Sequence, residues 1–460
     1  MNRVLLLLLA VSAAILSSCG TIPDIHALLH SKSFYDENSS FTGPNGPLTE
    51  EQGQQIIHRL NENQKTPSDI LARHLAFEQA LSNVPLVVGN KTTLLENGTA
   101  TYSAMLSTIH AAKDSVNLEM YTFSDGPIGQ MFADALIERQ RHGVQVNVIY
   151  DSVGSISTSS SFFDRMRQNG IQVLEYRPLD PFAAKVPWTL NHRNHRKMLI
   201  VDGGVAFTGG INISEVYASG LGSSPRKESG PPEYWRDTDI ELEGPVVAEM
   251  QRLFINEWYY QGGATLSPRN YFPELKRRGN HIVRVIASVP EQFSLIYVTL
   301  ISAIVNSETN VYVTDAYFAP DRQMVHALEH AAERGVDVRL LLPSQSDEPF
   351  IVSAERSHYH ALLEAGVKIY EWRGKMLHAK TATIDGVWST VGSSNLDWWS
   401  IARDNEINAI VLSHSFGDQM NQMFLNDMEH SRQIEPEQWK HRGLRERLDE
   451  IFARFIEPIM

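Results

Sequence analysis

Apolar positions recur along this chain in two rhythms, and the alternation between them happens twice. Val116–Tyr121 and Val144–Tyr150 are rich in β-branched and aromatic residues, the pattern of strands buried in a sheet. Between them, a segment from about Ile128 to Arg141 has helical spacing and is closed by Gly143, a residue that accepts a left-handed helix cap without strain. The same order returns downstream. A strand is predicted at Asn310–Thr314, a helix from about Arg322 to Arg334 ended by Gly335, and a strand at Val336–Leu342. Each copy continues with a second helix ending in glycine (Gly170, Gly366) and a third strand (Ile171–Tyr176, Val367–Trp372). Helices alternating with apolar runs indicate α/β layers. We expect two pseudo-symmetric α/β/α sandwich halves, at residues 85–265 and 280–430, each a mixed, mostly parallel sheet covered by helices.

The remaining segments are less regular. Residues 19–84 are polar, with turn punctuation at Thr42–Pro47 and weak helical patterns around Glu50 to Ala80, and are expected to form a tether with one or two short helices. In residues 431–460, Leu444, Leu448, Ile451, Phe452, Phe455 and Ile456 have helical spacing. That helix either docks on the body or lies on a membrane surface.

After its third strand, each copy carries the same chemical signature. His195-Arg196-Lys197 runs into an apolar strand (Met198–Val201) ending at Asp202, and His378-Ala379-Lys380 runs into Thr381–Ile384 ending at Asp385. Both then reach a Gly-rich turn closed by an asparagine, Asn212 in the first copy and Asn395 in the second. Residues two apart in a strand share a side, so each His and Lys should face the same way. A pseudo-two-fold axis would then place two imidazoles and two ammonium groups around one phosphate. One imidazole attacks phosphorus while the other, protonated, donates to the leaving alkoxide. Lys197 and Lys380 would neutralise the nonbridging oxygens, and Asn212 and Asn395 would donate hydrogen bonds to them. Such chemistry needs no metal or other cofactor, and no H-E-x-x-H or clustered carboxylate spacing suggests one. The two Asp residues stand beyond the far strand ends, the position of a support.

These residues resemble the phospholipase D superfamily, whose paired H-x-K-x4-D motifs build one active site. The resemblance covers roughly Pro85 to Leu412 and is closest to the bacterial cardiolipin synthase branch, through Asn191–Asp202, Leu377–Lys380 with Val391–Asp397, and Arg403–Glu406. It implies that His195, Lys197, Asp202, His378, Lys380 and Asp385 are catalytic, with His195 favoured as the attacking group. Asn212 and Asn395 would contact the phosphate, while Asp239 and Glu406 orient the histidines. Tyr121 and Tyr317, each near a strand end, match the branch pattern, although both also suit simple packing. It further implies a phosphatidyltransferase making cardiolipin, with membrane phospholipids as partners: phosphatidylglycerol, and phosphatidylethanolamine as a second donor candidate. Hydrolysis to phosphatidic acid by the same site is the alternative, followed by a secreted nuclease and a non-catalytic lipid-binding scaffold. His192 is read as a loop residue, and Trp398 and Trp399 as core. The Pro-broken apolar loop Pro178–Trp188 either forms an acyl-chain entrance or packs on the second half.

Composition bears on the partners. A net charge of −14 argues against nucleic acid, whose binding needs a surplus of basic groups, and gives no general attraction to anionic lipid. A different feature supplies membrane proximity. Arg3 precedes an apolar run, Val4–Leu16, too short to span a bilayer, and Leu16-Ser17-Ser18-Cys19-Gly20 resembles the bacterial lipobox. Residues 1–18 would be a lipoprotein signal peptide and Cys19, the only cysteine, the acylated lipid anchor, which leaves no disulfide framework. The lipobox stands where many cardiolipin synthases have two membrane-spanning helices. Gly20 after the anchor favours the periplasmic face of the outer membrane over the inner membrane.

Overall fold

A computed structural model describes residue 25 and residues 39–62, 70–82, 84–180, 182–186, 189, 191–218, 234–290 and 294–456. The lipobox and Cys19 lie outside the described residues, as do Pro181, Pro187 and Trp188 of the loop before the first motif.

Each half is built on one sheet, and the two sheets have the same strand order. In the first half that order is Gln172–Tyr176, Gln145–Asp151, Ser115–Met120, Met198–Val201, Val205–Gly209, Thr238–Glu243 and Leu86–Glu96. In the second it is Lys368–Trp372, Asp337–Pro343, Asn310–Thr314, Thr381–Ile384, Trp388–Gly392, Glu406–Leu412 and His281–Ser288. The sheets are mixed, but the expectation of mostly parallel pairing is corrected. Only the first three strands of each run parallel, and every later pairing in the series is antiparallel. The reason is local. The strand after each H-x-K motif returns at once through a tight turn, Asp202-Gly203-Gly204 or Asp385-Gly386-Val387, and such a hairpin is antiparallel by construction.

Alternation of side chains divides the core. In the strand Met198–Val201, Leu199 and Val201 face a layer formed by the helices Asn97–Ala111, Pro127–Arg141 and Ser160–Gln168, through Tyr102, Phe132, Leu136 and Phe163. Met198 and Ile200 face the other way and join Ile240 and Leu242 against Val391, Ile407, Ala409 and Val411 of the second half. The helices Val247–Tyr260 and His414–Glu429 extend this central layer through Met250, Phe254, Phe416 and Met420. The two lobes therefore share a core. They also share a strand: Leu86–Glu96 pairs with Thr238–Glu243 by its later residues and with His281–Ser288 by its earlier ones.

The segment expected to be a tether is docked where it is described. Phe41–Gly43 adds a parallel strand beside Leu86 and Val87. The helix Ile70–Leu81 places His74 and Glu78 against the second half, with His74 Nδ1 2.9 Å from Ser302 Oγ and the buried Glu78 carboxylate paired with Arg284. The C-terminal helix Leu444–Ile456 lies on the helix Pro349–Glu364, with Ala453 buried against Ala354 and with Leu448 and Phe452 exposed. Among the described residues, no helix is long and apolar enough to cross a membrane.

Candidate active site

Each H-x-K motif forms the lead-in to its strand, and each is held in place by backbone from the opposite lobe. His195 N–H donates to Asn405 O at 2.9 Å, and His378 N–H donates to Arg236 O at 2.7 Å. The next residue on each receiving segment is a carboxylate. Glu406 Oε1 lies 2.9 Å from His195 Nδ1, and Asp237 Oδ2 lies 2.7 Å from His378 Nδ1. The lobes thus exchange acids, each orienting the other's histidine. Both rings line one cavity of about 650 Å³, together with Asn212, Asn395, Tyr121, Tyr317, Tyr217 and Trp235.

The carboxylates settle what the rings can do. An Nδ1–H donated to a buried carboxylate fixes the tautomer and leaves Nε2 as the reactive nitrogen. Lys380 Nζ is also 3.0 Å from His378 Nδ1, and Tyr217 OH is 3.3 Å away. An ammonium can only donate, so a protonated Nδ1 cannot accept from it, and the shorter Asp237 contact decides the tautomer. Glu406 also accepts the Ser393 hydroxyl on its second oxygen.

Asp239, expected beside a histidine, does not take that role. Its Oδ1 accepts Ile211 N–H at 3.1 Å, and burial, with Asp237 adding, holds its carboxyl well above the usual carboxylate range. The correction follows from strand register. Gly209 pairs with Asp239 and Gly392 with Asn408, so the counterpart of Glu406, two residues upstream, is Asp237. The glycines of these turns are sterically required. A Cβ at Gly210 would lie 2.2 Å from Asp237 Oδ1, and one at Gly392 would lie 2.1 Å from Asn408 Oδ1.

Asn212 and Asn395 are placed alike. Asn212 Nδ2 donates to Tyr217 OH at 3.2 Å, and Asn395 Nδ2 donates to Ser400 Oγ at 3.3 Å, in each case five residues on. Each amide keeps a second N–H at the cavity wall. Tyr121 packs edge-on against His195 with ring centroids 4.9 Å apart, and Tyr317 against His378 at 5.9 Å.

The lysines and aspartates of the motifs stand further back. Lys197 Nζ donates to His195 O at 2.6 Å and lies 5.2 Å from the Tyr121 ring, and Lys380 Nζ lies 5.7 Å from the Tyr317 ring. Neither lysine is among the residues that border the cavity, and each ammonium lies beside its own histidine. Their charge acts through a buried wall, where screening is weak. Asp202 and Asp385 are not at the cavity at all. Asp202 accepts the backbone N–H groups of Lys113, Asp114 and Ser115, and Asp385 those of Glu308, Thr309 and Asn310. Both have positive φ, 51° and 53°. They staple the hairpin turn to the start of the neighbouring strand, which corrects their assignment as catalytic groups to a supporting one.

Burial pushes the His195 imidazole below its ordinary value, and burial with the Lys380 charge takes His378 down to about 4. Burial, opposed by Glu406 and reinforced by Lys380, takes Lys197 down to about 7. Glu406 moves the other way: burial opposes its charge, but His195 and Lys197 hold its carboxyl below the usual range. A depressed ammonium is charged below its pKa and neutral above it, so the cavity loses positive potential as pH rises through about 7. For a phosphodiester substrate, KM should rise severalfold between about pH 6 and about pH 8.5. Lys197→Met should give a high KM that no longer changes over that range, and an unaltered rise in the variant would remove Lys197 as its source.

Among the described residues, no group of three or more His, Cys, Asp or Glu is placed to hold a metal ion.

Comparison with known proteins identifies the family. A family model described as cardiolipin synthase, PLD-like domain, matches residues 105–219 and 300–428. A cardiolipin synthase of Geobacillus kaustophilus is 34% identical over 380 residues, 82% of this chain and 74% of that protein. The chain belongs to the phospholipase D superfamily, in its cardiolipin synthase-like branch. A cardiolipin synthase of Geobacillus thermodenitrificans is 33% identical over 394 residues, 84% of this chain and 75% of that one. The crystal structure of phosphatidylserine synthase from Haemophilus influenzae shares the fold, with a TM-score of 0.63 at 14% identity, over 83% of this chain and 99% of that one.

Asp237, Tyr217 and Trp235 of this cardiolipin synthase-like site lie outside the motifs, and Arg193 and Ser393 lie inside them without an assigned role. Asp237 is picked out by strand register, because counting back two residues from the glycine-facing position reaches it as it reaches Glu406. Arg193 lines the cavity while its guanidinium donates to Ser152 Oγ at 3.0 Å and to Thr189 O at 3.2 Å, so it braces the loop before the motif. Tyr217 and Trp235 flank a segment of the chain outside the described residues and belong to no repeat.

Proposed function

We propose that this chain transfers a phosphatidyl group from one phospholipid to a hydroxyl of phosphatidylglycerol, giving cardiolipin, with a phosphohistidine between the two steps. The observation that carries the reading is one cavity bordered by two histidines, each with Nδ1 committed to a carboxylate of the other lobe. In the first step, Nε2 of one histidine attacks phosphorus, and the P–O bond to the headgroup breaks. The departing alkoxide takes the Nε2 proton of the second histidine, which enters this step as the imidazolium: burial and Lys380 disfavour that charge, while the Asp237 carboxylate and the bound phosphodiester anion favour it. In the second step, that now neutral histidine removes the proton from the acceptor hydroxyl. The acceptor oxygen bonds to phosphorus, the P–N bond breaks, and both imidazoles return to their starting states. His195 is assigned the attack. Glu406 and Asp237 stabilise the imidazolium that forms at each stage, and the second N–H of Asn212 and of Asn395 meets the nonbridging oxygens.

The deciding assay supplies vesicles containing headgroup-labelled phosphatidylglycerol and follows the lipid products. Cardiolipin with free glycerol is the expected outcome. Phosphatidic acid as the main product would show that water is the acceptor and replace transfer with hydrolysis.

Attachment to the membrane is assigned to Cys19, as the acylated first residue after removal of residues 1–18, on the periplasmic face of the outer membrane. The lipobox-like Leu16–Gly20 supports it. Cys19→Ser should move the protein from the membrane fraction to the salt-washed supernatant, and unchanged fractionation would refute the anchor.

A further inference from the structure

A second cavity, of about 670 Å³, has no part in the chemistry above. It lies among the helices Arg322–Glu333, Pro349–Glu364, Trp398–Ala402 and Leu444–Ile456. The short helix Trp398–Ala402 serves both cavities, giving Trp399 and Ser400 to the catalytic one and Trp398 and Ile401 to the other.

The lining has two characters. Val325, Ala361, Trp398 and Ile401 form an apolar part. Arg322 and Arg454 bring two guanidiniums, and neither has a hydrogen-bond or ion-pair partner among the described residues. Several other exposed arginines on this acidic chain are paired with carboxylates: Arg165 with Asp134, Arg167 with Asp164 and Arg252 with Glu249. The carboxylates at the second cavity are already engaged. Asp321 accepts Met324 N–H at 3.0 Å and the Tyr297 hydroxyl, and Glu329 pairs with His326 at 3.1 Å. The cavity thus presents two uncommitted planar cations beside an apolar wall. Guanidinium forks match phosphate oxygens, and the wall matches hydrocarbon.

We propose that this cavity binds a phosphate-bearing amphiphile, its headgroup held by Arg322 and Arg454 and its chain laid along Val325, Trp398 and Ile401. The site is separate from the one at which phosphatidyl transfer is assigned, and it does not depend on that reading.

The test is calorimetric titration of the full chain with dodecyl phosphate below its micelle concentration. It compares wild type with the double variant Arg322→Glu, Arg454→Gln, and with Ala361→Trp, which fills the apolar part and keeps both charges. Each variant should bind one equivalent fewer than wild type, whether or not the catalytic cavity also takes the probe. kcat/KM without the probe should stay within about twofold of wild type. Wild-type stoichiometry in the charge variant would overturn the proposal. A parallel titration with inorganic phosphate separates the sources of the anion. Loss of the same equivalent with phosphate alone would make this a simple anion site and overturn the amphiphile assignment.

Discussion

Replacing either histidine of the pair, His195→Ala or His378→Ala, should abolish phosphatidyl transfer, with kcat falling on the order of 10⁴-fold or more. Nucleophile and acid act on the same phosphorus, so removing one leaves the other without a step to perform. The double variant should therefore be no slower than the worse single variant, because groups that act as a unit are strongly non-additive. Substrate binding should change little, since Asn212, Asn395 and the buried lysines remain. Cardiolipin formed from labelled phosphatidylglycerol gives the rate, and a fluorescent lipid analogue gives the affinity. A single variant that keeps more than about a tenth of wild-type turnover would sink the paired mechanism.

The second large effect separates two aspartates that stand two residues apart. Asp237→Asn should lower kcat by roughly 10²- to 10⁴-fold with little change in KM, because an amide can donate to Nδ1 and favour the wrong tautomer of His378. Asp239→Asn should change kcat less than about threefold, since Asp239 touches neither histidine, burial disfavours its charge, and an amide matches the carboxyl in shape. Glu406→Gln should behave as Asp237→Asn does, through His195. Steady-state kinetics of the three variants, with circular dichroism to confirm folding, make the comparison. Equal losses at Asp237 and Asp239 would mean that the effect is structural and not tautomeric.

Much of this architecture is legible in the chain because the repeat supplies its own control. Gly143 and Gly335 end equivalent helices with φ of 88° and 92°, and the strands they introduce begin one residue later than the pattern implied. The paired H-x-K motifs gave away the cavity because one pattern at constant spacing in both copies demands one geometry. What escaped was information held between strands. Asp239 was taken for Asp237 because sequence spacing carries no register, and the register of the Gly209 and Gly392 hairpins is what separates them. The parallel share of each sheet was overestimated because helix–strand alternation is conspicuous, whereas hairpins such as Met198–Val201 with Val205–Gly209 leave only a turn as signal. The placing of Lys197 Nζ 5.2 Å from the Tyr121 ring and of Lys380 Nζ 5.7 Å from the Tyr317 ring is a packing outcome that spacing along the chain does not carry. Polar composition hid the docking of Phe41–Gly43, because three residues completing the edge of a sheet need little hydrophobicity of their own.

The crossing of Glu406 to His195 and Asp237 to His378 constrains the history of this molecule as well as its chemistry. Neither duplicate inherits a self-sufficient acid–imidazole couple, so a descendant retaining one copy would have to pair with a second molecule to complete either couple. Elsewhere the two copies are free to diverge, but along this diagonal a change in one lobe is tolerated only with an answering change in the other.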